Sequence, residues 1–128
     1  MKINTVMSVY AIISAIFGVL LLLVPAMLIS LYGPSLDAQA EVLYRFIGGT
    51  SLGLAVMTWM GRDADASKSR DSMLLGLTVL NAVSAIVVVM GALSGVYNAL
   101  AFAQAGLFAI FTIGFFMVGK ANMSTSMS

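Results

Sequence analysis

Few side chains in this sequence are able to do chemistry, and two absences narrow them further. There is no Cys and no His. That removes disulfides, thiolate nucleophiles and Cys- or His-ligated metal and haem, together with the side chain that most often moves protons near neutral pH. Of what remains, the sharpest candidates are one charged pair and a few amides. Glu41 and Arg45 lie four apart with the acid first, the order that favours a same-face ion pair on a helix. Arg45 falls about one turn inside an apolar run. There a guanidinium either snorkels to the headgroups with Glu41 screening it, or faces other helices and grips a phosphate or carboxylate at two points. Proximity to the end of the run favours the first. Asn81 sits mid-run with Thr78 and Ser84 on roughly the same face, and Gln104 lies about two turns into another run. Such amides usually hydrogen-bond between helices. Arg45, Asn98 and Gln104 fall toward the same half of the chain's apolar segments, so a polar pocket is to be sought there. The ligand-binding candidates are therefore Arg45, Glu41, Asn98, Gln104 and Asn81. No catalytic residue is assigned.

Two metal readings fail on spacing. Asp63-x-Asp65-x-Ser67 opens like a calcium loop, but the sixth position is Lys68 where Gly is required and the twelfth is Leu74 where Glu is required. Ten Met residues bring Cu(I) to mind, yet they are dispersed singly through apolar stretches, as gap-filling thioethers are. The expectation is no metal and no cofactor.

The elements that must position these residues follow from composition. Of 128 residues 61% are hydrophobic and 9% charged, against about a quarter charged in soluble domains. Polar surface is too scarce to coat a water-soluble globule, so lipid is the expected solvent. A spanning helix needs about 20 mostly apolar residues, and four stretches qualify: residues 6–29, 42–60, 72–93 and 97–118. They show no strict alternation, and open sheet edges do not survive in hydrocarbon. The sequence therefore predicts one all-α domain over residues 1–128, an integral membrane, antiparallel bundle of four transmembrane helices. Pro25 should kink the first of them. Gly33-Pro34 should end it, with Ser35 or Asp37 capping the second. Ala38-Gln39-Ala40 resembles a signal-peptidase site, but the apolar run ahead of it is about twenty-four residues, longer than the 7–15 of a signal peptide. It is read as a retained span.

Four spans put both termini and the middle loop on one side. That side carries Lys2, Arg62, Lys68, Arg70 and Lys120, and the other carries Arg45 alone, so both termini are expected in the cytoplasm. With a net charge of +1 and no basic stripe, nucleic acid is not an expected partner. Small residues mark the packing faces. Gly49 and Gly53 make a GxxxG spacing, and Ala101 and Ala105 repeat at four-residue intervals, a pattern that lets helix backbones approach closely in lipid. Packing within the chain is the favoured use, because a four-helix bundle needs such faces in any case, and packing between chains is the alternative.

Leu31-Tyr32-Gly33 after a Pro-containing first helix, then Arg45-x-x-Gly48 and Leu52-Gly53-Leu54 through Trp59, is similar to a group of small bacterial four-helix membrane proteins, distantly DoxX-like and mostly without an assigned activity. The resemblance implies a bacterial inner-membrane four-helix fold and transfers no site residue. The functional expectation is a non-enzymatic accessory or scaffold subunit, surrounded by membrane lipid and packing as a homo-oligomer or within a larger membrane complex. The alternative is a small oligomeric transporter or channel for a small solute or lipid. It is disfavoured because coupled transporters place ionisable groups near the midplane, and here the middle of each span is neutral.

Overall fold

A computed structural model describes residues 2–122. All regular structure in them is helical: α1 Ile3–Leu23, α2 Pro25–Ser30, α3 Ala38–Gly61, α4 Lys68–Leu93 and α5 Leu100–Ala121. Among these, α1, α4 and α5 are long and apolar enough to cross a membrane.

The first apolar run does not bend through Pro25 but breaks there. Proline has no amide hydrogen, so the Leu21 carbonyl loses its helical donor. Val24 adopts φ −138°, ψ 56°, and α2 restarts with Pro25 in its first turn. The chain then turns at Gly33, whose φ of +118° suits glycine. Asp37 caps α3 by accepting from the Ala40 amide at 2.8 Å, and Ser67 caps α4 by accepting from the Arg70 amide at 3.1 Å. The α4–α5 turn passes through Gly95 at φ +85°.

The helices form two antiparallel hairpins. In the first, Asn4 donates to Asp63 at one end, while Arg45 reaches Leu22 toward the other. The close approach between them lies at Gly18 and Gly48. A methyl group on Gly48 would stand 2.8 Å from the Gly18 carbonyl oxygen, and one on Gly18 would stand 2.9 Å from Leu52 Cγ. In the second hairpin Tyr97 lies over Gly91 at one end, and Arg70 donates to the Asn122 carbonyl at 2.6 Å at the other. We call the end with Asn4, Arg62 and Arg70 basal and the opposite end distal. At the basal end the Arg62 guanidinium stacks 3.8 Å over Trp59, a cation–π contact.

The hairpins meet chiefly through α1 and α5. Their shared core is basal: Val6, Met7 and Tyr10 of α1, Leu74 and Leu77 of α4, and Phe111, Phe115 and Val118 of α5. Tyr10 is the hinge pin, edge-on to Phe111 at 5.0 Å and to Phe115 at 5.1 Å, the geometry aromatic quadrupoles favour. In contrast, α3 and α4 are not closely packed on each other. The outward faces are apolar, with Leu23, Phe46, Met60, Leu93 and Ile110 all strongly exposed. Such a coat suits hydrocarbon and is rare in water.

Candidate functional site

The distal half of the molecule is hollow. Proceeding from the basal core, the two hairpins diverge and leave two adjoining cavities. The distal one, about 530 Å³, is walled by Phe17, Leu21, Leu28, Ile29, Leu43, Ile47, Val87 and Phe108, with Tyr32, Tyr44, Tyr97, Ser84 and Gln104 supplying its polar atoms. The deeper one, about 390 Å³, lies at mid-helix beside Tyr10, Ser14, Thr50, Ser51, Asn81 and Phe111. The two share Phe17, Leu21, Ile47, Ser84, Gln104 and Phe108 as walls. Among the described residues, no charged side chain lines either cavity. Several wall residues, Leu43, Ile47, Val83 and Val87, are also exposed. The distal cavity is therefore a cleft that opens sideways between α3 and α4.

Three tyrosines bridge the mouth of the cleft. The Tyr32 hydroxyl donates to Gln104 Oε1 at 2.8 Å, and the Tyr44 and Tyr97 hydroxyls are 2.6 Å apart. Tyr32 and Tyr97 meet edge-on at 6.4 Å. Each pair joins one hairpin to the other. The sequence positions them locally. Tyr32 follows the break at Val24 and the short α2, Tyr44 sits two turns into α3, and Tyr97 lies flat on α4 because Gly91 leaves room; a methyl there would come 2.5 Å from the ring. Burial raises the Tyr32 phenol above its ordinary value, because a phenolate is poorly solvated there, so its proton stays available for Gln104.

The sequence candidates separate into three groups. Asn81 and Gln104 line the cavities. Asn98 lies outside them and fastens the distal loops: its Nδ2 donates to the Leu31 carbonyl at 3.0 Å, its amide donates to the Tyr32 carbonyl at 2.7 Å, and its Oδ1 accepts from the Leu100 amide at 3.0 Å. Arg45 also lies outside and donates to the Leu22 carbonyl, in the last turn of α1 where the ladder is interrupted. Glu41 lies in the first turn of α3, and among the described residues it forms no ion pair with Arg45.

Of the packing candidates, Ala101 and Ala105 are buried. Gly49 and Gly53 face outward, and a methyl on either would meet nothing within 4 Å. The α1–α3 crossing uses Gly48 instead, since Gly48-Gly49-x-x-x-Gly53 offers two ridges about 100° apart and α1 occupies the other one. No motif or spacing in the sequence marks the three tyrosines as a group. Their only sequence signal is position: each stands near a distal helix end, where tyrosine ordinarily marks a membrane interface.

The fold and the cavities define an all-helical protein with three helices long and apolar enough to cross a membrane and a neutral, laterally open cleft. The chain matches, over residues 1–121, the family described as domain of unknown function (DUF8292), and it belongs to that family. No curated protein and no solved structure matches it.

Proposed function

We propose that this is a non-enzymatic, four-span protein of the bacterial inner membrane that holds a small, uncharged, largely apolar molecule between its two hairpins. One observation carries the reading: a cleft of about 530 Å³ with apolar and tyrosine walls and, among the described residues, no charged lining. Ligand pockets are typically concave, apolar and furnished with a few polar atoms, and this one meets that description while facing a solvent of lipid. Catalysis has little to work with, because the lining holds hydroxyls and amides and lacks a base to activate them.

The fourth span is α3. It has 24 residues, about 36 Å at 1.5 Å each, and it runs beside α1 from end to end. Its charges, Glu41 and Arg45, lie in its first two turns, and no charge follows until Arg62. A helix so paired shares the environment of its neighbour. The basal end carries five of the six cations, which supports cytoplasmic termini.

The test is binding of 4-propylanisole, an uncharged apolar probe, to the protein in nanodiscs, read by ligand-observed NMR against protein-free nanodiscs. Binding above the blank is expected, and Ser84→Phe should weaken it at least about fivefold by filling the shared wall. A probe signal equal to the blank, or unchanged in a folded Ser84→Phe variant, would sink the reading. A second reading, an accessory subunit that self-associates or joins a larger complex, is favoured by the outward Gly49 and Gly53. Native mass spectrometry decides it: a monomer with no co-purifying protein removes it.

A further inference from the structure

The deeper cavity carries an unanswered acceptor. Asn81 is 1% exposed and sits near mid-helix in α4, where water is scarcest. Its Nδ2 donates back to the Leu77 carbonyl at 2.8 Å, which fixes the amide orientation and turns Oδ1 away from that bond. Among the described residues, Oδ1 has no hydrogen-bond partner. A buried carbonyl without a donor gives up the hydrogen bond that water would supply, so such groups normally mark a bound water or ligand. Asn81 lines the cavity together with Tyr10 and Ser14, and the Tyr10 hydroxyl lies within reach of both the Ser14 and the Asn81 side chains. A ligand hydroxyl placed here would donate to Asn81 Oδ1 and accept from Tyr10. Nothing charged would fit, for want of a counter-ion.

We infer that the occupant is an alcohol or phenol, an uncharged amphiphile whose hydroxyl reaches down to Asn81 while its apolar body fills the cleft and extends toward the opening between α3 and α4. The inference rests on the cavity reading above but goes beyond it: it fixes the polar group and the direction of binding, head inward at mid-membrane and tail toward the distal mouth. Ordinary bilayer lipids bind the opposite way, with headgroups at the surface, so they occupy the cleft with acyl chain alone and leave Asn81 unanswered.

A matched pair of probes separates the possibilities. 4-Propylphenol and 4-propylanisole have nearly the same size and shape, but only the phenol can donate. In nanodiscs, with partition into protein-free nanodiscs subtracted for each probe, the wild-type protein should prefer the phenol by about fivefold, the usual net effect of one hydrogen bond. Asn81→Leu, which keeps the branching at Cγ but removes the acceptor, should still bind the anisole and lose the preference. Tyr10→Phe, which keeps the aromatic contacts, should retain part of it. If both probes bind equally to the wild type, Oδ1 is answered by water or by the Tyr10 hydroxyl and the inference fails, while the cavity reading stands. A preference that survives in a folded Asn81→Leu variant also overturns it. If neither probe binds, the cavity reading itself has failed.

Discussion

Arg45 illustrates how one charge is absorbed by backbone rather than by a ligand. The break before Pro25 leaves the end of α1 with carbonyls that its own helix cannot satisfy, and the Arg45 guanidinium donates to one of them, at Leu22. Its charge also sits at the negative end of the helix dipole. Arg45→Met should therefore lower stability by about 1–2 kcal/mol, whereas Arg45→Lys, which keeps charge and reach, should retain more than half of that. Thermal unfolding in a mild detergent measures both, and equal stability of all three proteins would mean that the side chain only faces headgroups. Tyr32 gives a pH-dependent companion. Burial raises its phenol above the usual value of about 10, so the folded state favours the protonated form. The stability this provides is complete below about pH 10 and is lost as pH rises through the elevated value. The unfolding temperature should decline less at strongly alkaline pH in Tyr32→Phe than in the wild type, even though at neutral pH the variant is weaker for leaving Gln104 Oε1 without its donor.

At the scale of helices, the choice of ridge is decided by contacts that no local pattern contains. Gly48 and Gly49 are adjacent and chemically identical, yet Gly48 meets the Gly18 backbone while Gly49 faces open space. Gly48→Ala should cost at least about 2 kcal/mol, because backbone atoms must separate to admit the methyl. Gly49→Ala should be neutral or stabilising by up to about 1 kcal/mol, through helix propensity alone. Denaturation of the two variants side by side checks this: comparable losses would overturn the distinction between the ridges, and a larger loss for Gly49→Ala would place the crossing on the other one. The same contrast shows how far sequence reasoning reaches. Apolar length, Gly33 and Asp37 mark the helices and their ends, because those signals act within a few residues. Pro25 signalled a kink but produced a break, since Val24 leaves the helical region altogether. Of the site, Asn81 and Gln104 were legible as polar groups within apolar runs. The tyrosine bridges were not, because Tyr32 and Gln104 are 72 positions apart, and only the docking of one hairpin on the other brings them together.

The whole molecule is two hairpins held at both ends and parted between them. The basal hold is the Tyr10–Phe111–Phe115 aromatic cluster, and the distal hold is the Tyr32–Gln104 and Tyr44–Tyr97 bonds with the Asn98 staple. Since α3 and α4 stand apart, the opening faces sideways, and in a membrane it would face lipid. How a ligand arrives then depends on which end points where, and on α3 crossing at all. If four helices cross with the cation-rich basal end in the cytoplasm, the distal turn at Ser35 must be outside and the α3–α4 loop inside. Because the chain has no Cys, single-cysteine variants report this without interference. Ser35→Cys should react with a membrane-impermeant maleimide on intact spheroplasts, and Ala66→Cys should react only after permeabilisation. These positions avoid the capping residues Asp37 and Ser67, so neither substitution removes a helix cap. Reaction of both variants from outside would mean that α3 does not cross, leaving three spans and a cleft exposed to water on one side. Reversed labelling would keep the four spans but put the mouth in the cytoplasm, against the cation distribution. The expected pattern places the tyrosine mouth at the outer leaflet and leaves the lateral gap as the route by which an uncharged amphiphile reaches Asn81.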